Sequence, residues 1–103
     1  MDTFNHIVFL TVIAGRKQQN ELMAAISQNG GKLVNICYGK GSVKANYLMD
    51  AFGFVPEENK VVIICLLAKR RTDKMFRMLN EQFHFNQPNT GIAFTSPVRE
   101  LSF

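Results

Sequence analysis

The sequence predicts an α+β domain of the split βαβ type: order β-α-β-β-α-β, a four-stranded antiparallel sheet, and two helices on one face. Three observations predict it. Two short runs, Ile7–Ala14 and Val61–Leu67, carry no charge and are rich in β-branched residues. Each is followed by a stretch with helical spacing of its apolar residues. Each strand–helix pair is then closed by a further strand-like segment.

The first strand is His6–Ala14, and Gly15 turns the chain. The first helix spans about Arg16–Asn29, with Leu22, Met23 and Ile26 on its apolar face. Gly30-Gly31 stops it, because glycine takes a left-handed cap without steric cost. The second strand is Lys32–Tyr38, ended by Gly39-Lys40-Gly41-Ser42. A connection over Ser42–Asn59 follows, much longer than the 2–5 residues that usually join antiparallel neighbours. It is unusually apolar for a loop, with Met49, Phe52, Phe54 and Val55, and its Val43, Tyr47, Leu48 and Ala51 share a helical face. It reads either as a hydrophobic plug or as a partner-binding loop. The third strand is Lys60–Ala68. Thr72 or Asp73 is placed to cap a second helix, Asp73–Phe85, whose stripe is Met75, Phe76, Leu79 and Phe83. The fourth strand is Gly91–Thr95, and Pro97, which has no N–H, puts its end at an edge or bulge. The whole chain, 1–103, reads as one domain.

Composition bounds the function. At 47% hydrophobic and 19% charged, the chain is an ordinary globular one. Neither apolar run approaches the roughly 20 residues of a membrane span, so the protein is expected not to be membrane-embedded. No basic region precedes the first run, so no signal peptide is expected, and Cys37 and Cys65 read as two buried, reduced thiols of a cytoplasmic protein. The net charge of +4 is modest. Its densest cluster, Lys69-Arg70-Arg71, and the pair Arg16-Lys17 read as solvated corners rather than as a nucleic-acid surface.

Both central strands are apolar on both faces, since side chains alternate along a strand. With both helices on one side, the other side presents Val8 or Phe9, Leu10 or Val12, and Val62, Ile64 and Leu66. Covering such a patch favours self-association through the open face. An RNA-reading sheet would carry stacking aromatics there; the third strand has none, so no nucleic-acid partner is expected.

Catalytic chemistry finds no support. His6 and His84 have no ligand-forming neighbours at metal spacing, and the carboxylates form no acid–base pair, so neither a metal site nor an enzyme is expected. An anion site is better supported. Gly39-Lys40-Gly41-Ser42 offers small residues, backbone N–H groups and a cation at a corner. Lys60 returns to that corner if the second and third strands are antiparallel neighbours, and Thr90-Gly91 offers donors from a neighbouring subunit.

Taken together, Tyr38-Gly39-Lys40-Gly41, the long loop, the Lys60-headed apolar strand and Asn89-Thr90-Gly91-Ile92-Ala93-Phe94-Thr95-Ser96-Pro97-Val98 resemble the nitrogen regulatory protein P-II family. The resemblance covers nearly the whole chain and marks a divergent, PII-like member. It implies a ferredoxin-like homotrimer for signal transduction, with intersubunit clefts for adenine nucleotides (ATP, ADP or AMP). Its long loop is implied to engage a regulated partner such as a membrane transporter. By position, Gly39, Lys40, Gly41, Ser42, Val43 and Lys60 would line the cleft from one subunit, and Thr90, Gly91, Ile92 and Ala93 from another. The partner loop would present Tyr47, Leu48, Met49, Phe52 and Phe54. Where that family carries Asp-Gly-Lys in its fourth strand, this chain has Thr90-Gly91-Ile92, one phosphate-holding lysine fewer. The loop also lacks the family's Tyr-Arg-Gly-Ala-Glu-Tyr sequence. The alternative is a ligand-free oligomeric interaction module on the same fold.

Overall fold

The computed structural model describes residues 6–39, 60–88 and 90–98. Its strands are β1 (Ile7–Gly15), β2 (Lys32–Gly39), β3 (Lys60–Ala68) and β4 (Gly91–Pro97). Its helices are α1 (Gln19–Gln28) and α2 (Thr72–Phe83). The sheet is antiparallel throughout, in the order β2-β3-β1-β4. The two apolar runs are therefore its central strands. They pair along their full length, from Ile7 with Ala68 to Gly15 with Lys60.

The two halves repeat one device. β1 leads through a 3-10 turn, Arg16–Gln18, into α1, and β3 leads through another, Lys69–Arg71, into α2. The expected side-chain cap of the second helix is absent: α2 starts from Arg71 with no capping side chain. Thr72 lies inside the helix with its Oγ1 buried and unbonded. The 3-10 turn supplies the entry that a capping side chain was expected to supply.

At its far end α1 closes as the glycines predict. Gly30 takes φ +100°, its N–H bonds to the Ser27 carbonyl and the Gly31 N–H to the Ile26 carbonyl. This is the paired-bond motif of a glycine-terminated helix.

Both helices pack on one face. The core joins Val8, Leu10, Val12 and Ala14 of β1 and Val61, Ile63, Cys65 and Leu67 of β3 to Leu22 and Ile26 of α1 and Met75 and Leu79 of α2. Each fully buried Leu, Ile, Val or Met among them contributes about 1.5–3 kcal/mol. The buried stripe of α2 is Met75, Met78, Leu79 and Phe83, with Phe76 only partly covered, so Met78 joins the residues expected there.

The helix-free face carries Phe9 of β1 beside Leu66, Thr11 beside Ile64, and Ile13 beside Val62. Of the paired possibilities on β1, Phe9 faces this side, while Val8, Leu10 and Val12 face the helices. Phe9 is 38% exposed and Phe94, paired with Thr11, 39%. Cys37 pairs with Val62 on edge strand β2 and is exposed, so only Cys65 is the buried thiol expected of both. Pro97 ends β4, an edge strand, which is where a residue without an N–H is expected.

Candidate functional site

The candidate site is the end of the sheet where β2 stops and β3 begins. Gly39, the last residue of β2, pairs with Lys60, and Lys60 pairs on its other side with Gly15. Three strands thus place two glycines around one lysine, whose residue is only 2% exposed. A lysine is rarely buried this far, and Lys60 is not without an interaction partner here.

Arg16 follows Gly15 at the same corner. Its guanidinium carbon lies 4.4 Å from the centre of the Tyr38 ring, and its Nε is buried with no hydrogen-bond partner. The stack ties the end of β2 to the β1–α1 corner and keeps a second cation beside the Gly39–Lys60 pair. Sequence reasoning named Arg16 only as part of a solvated pair. The signal that could have found it is its place directly after Gly15, opposite the Tyr38-Gly39 strand end.

The strand-four candidates start two strands away from Lys60. Gly91 pairs with Ala14, Ile92 with Ile13 and Ala93 with Val12. Ala93 packs against the helix-side core, whereas Ile92 shares the helix-free face with Ile13. A side chain at position 91 would run into the Phe85 ring. The hydroxyl of Thr90 donates to the Pro88 carbonyl at 3.4 Å. Gly39 and Gly91 sit three strand spacings apart, roughly 14 Å. One phosphate group cannot touch both in the same chain.

Lys40, Gly41, Ser42 and Val43, with the loop residues Tyr47, Leu48, Met49, Phe52 and Phe54, lie outside the described residues. Among the described residues no three His, Cys, Asp or Glu side chains gather as a metal site, and no helix is long and apolar enough to cross a membrane.

A cleft of about 500 Å³ lies at the other end of the sheet, between the start of β1, the ends of β3 and α1, and the Lys69–Arg71 turn. Sequence reasoning did not foresee it, because its lining comes from segments distant in the chain.

No family model and no curated protein matches the chain. Solved structures do, and they define a class: the α+β fold of the PII-like signalling proteins, an open four-stranded antiparallel sheet with two helices. One neighbour is a PII-like signalling protein from Thermus thermophilus (14% identity, 89% of this chain and 85% of that one, TM-score 0.64). Another is CPII from Thiomonas intermedia, solved bound to ADP, AMP and acetate (16% identity, 89% and 85%, TM-score 0.66). A third is a DUF3240 family protein from Shewanella baltica, matching all of this chain and 98% of its own (10% identity, TM-score 0.67). The split βαβ expectation is thereby met.

Proposed function

We propose that the chain is a divergent PII-like regulatory signalling protein, not an enzyme. It binds a small ligand at clefts between the subunits of a homotrimer and relays occupancy to a protein partner through residues 42–59. The observation that carries this reading is the Gly39–Lys60 pair at the base of that long connection. It puts a cation and a side-chain-free backbone where the loop leaves the sheet and returns. A ligand held there is placed to bind one state of the loop better than another, which is what switching requires.

An adenine nucleotide is the first ligand to test, since CPII, of the same fold, was solved with ADP and AMP. The separation of Gly39 from Gly91 favours a cleft completed by a second copy, with Thr90, Gly91 and Ile92 supplied in trans. The exposed Phe9 and Phe94 favour burial of the helix-free face in that assembly. A membrane transporter is the partner class that the family resemblance supplies.

Isothermal titration with ADP and with AMP tests the site. Binding that falls at least tenfold in Lys60→Ala and in Lys40→Ala supports it. Absence of binding, or binding indifferent to both substitutions, rejects it. One observation favours the second reading, a ligand-free interaction module: Gly91 is explained by the Phe85 ring above it, without any phosphate.

A further inference from the structure

We infer that the cleft at the Ile7–Ala68 end of the sheet binds a small phosphate ester with an apolar body. Its volume of about 500 Å³ falls within the roughly 300–1,000 Å³ of small-ligand sites. The register builds its floor, setting Ile7 beside Ala68 and Lys32 beside Leu66. The other cations on its wall are Arg70 and Arg71, and no acidic residue lines it among the described residues.

The alternative role for Arg71 is to cap the carboxyl end of α1. Three of the carbonyls at that end, those of Ala25, Ile26 and Ser27, already have backbone partners. The Ala25 and Ile26 carbonyls accept the Asn29 N–H, Ile26 also accepts Gly31, and Ser27 accepts Gly30. Besides its capping bond, Gly30 leaves room for Arg71: any side chain there would meet the Arg71 arm at Cδ and Nε. Its bareness seats the arm against the backbone and limits where the guanidinium can go.

Two guanidinium forks and an ammonium suit a phosphate monoester, which carries about −1.5 to −2 charges at neutral pH and accepts paired N–H bonds. The apolar floor of Ile7, Leu66 and Ala68 gives the organic part of the ligand a surface. β3 separates this cleft from Lys60 by its own length, roughly 26 Å. The inference therefore stands whether or not a nucleotide binds at the Lys60 end.

The test is a titration of the full chain with butyl phosphate, followed by amide NMR shifts. Expected are shifts at Gly30, Lys32, Ala68 and Arg71, with weaker binding of inorganic phosphate and of butanoate. Arg70→Gln and Arg71→Gln should each weaken binding about tenfold, the size of one lost charged hydrogen bond. Arg71→Lys should fall between Arg71→Gln and wild type. Arg70 is exposed, so Arg70→Gln tests the cleft without disturbing the Arg71–Gly30 packing. Shifts confined to Gly39, Lys60 and Gly91 would overturn the inference. So would affinity untouched by both glutamine variants, or inorganic phosphate binding as tightly as its butyl ester. A single-stranded RNA that binds through the same arginines while butyl phosphate does not would overturn it too.

Discussion

His84 ends α2 in the left-handed region, at φ 60° and ψ 35°, where a β-carbon crowds its own backbone. Glycine has no such penalty at a helix end. His84→Gly should therefore stabilise the chain by about 1 kcal/mol, raising the melting temperature by about 4–8 °C in calorimetry. Cys65 illustrates the opposite sign. Burial pushes its thiol above the ordinary 9.0. The folded chain holds it protonated while the unfolded chain ionises first. The stability it contributes is complete below pH 9 and is lost as pH rises from there through the folded value. Denaturant melts between about pH 8 and 10.5 should show wild type losing more stability than Cys65→Val. In the folded monomer a thiol reagent should label exposed Cys37 and spare Cys65.

At the scale of elements, the two central strands were legible because seven consecutive apolar residues in Val61–Leu67 admit few other readings. Which face of β1 meets the helices was not legible. Val8 and Phe9, or Leu10 and Thr11, are separated only by which side the helices take, and both sides are apolar. The start of α2 was misread for a related reason: Thr72 and Asp73 have capping chemistry, but the 3-10 turn brings the chain in one step earlier. The candidate site was legible where register alone decides it, as for Gly39 beside Lys60. It was not legible for Arg16, whose role depends on an aromatic face across the corner. That contact can be weighed. A double-mutant cycle on Arg16→Ala and Tyr38→Leu should show coupling of about 0.5–1 kcal/mol between β2 and the β1–α1 corner, and none if the stack is incidental.

For the whole molecule, the helix-free face decides the assembly. Phe9 and Phe94 stand on it more than a third exposed, on neighbouring strands. If trimer formation covers them, Phe9→Asp and Phe94→Asp should each yield monomers by light scattering at micromolar concentration. Both should keep a native helix signal in circular dichroism, because neither side chain belongs to the helix-side core. A wild-type chain that is already monomeric at that concentration would remove the intersubunit cleft and leave the Ile7–Ala68 cleft standing alone.

The Gly39–Lys60 pair has one more consequence. Adjacent strands lie about 4.8 Å apart, so residues 40–59 depart from the sheet and come back at nearly the same point. Ring closure over such a short gap is insensitive to contour length; doubling the number of intervening residues costs about 0.6 kcal/mol. The sheet therefore works as a socket. Its loop can be lengthened, exchanged or fitted with a reporter peptide while the nine-residue β1–β3 ladder keeps its register. Lineages built on this scaffold are free to change what the loop engages without redesigning what holds it.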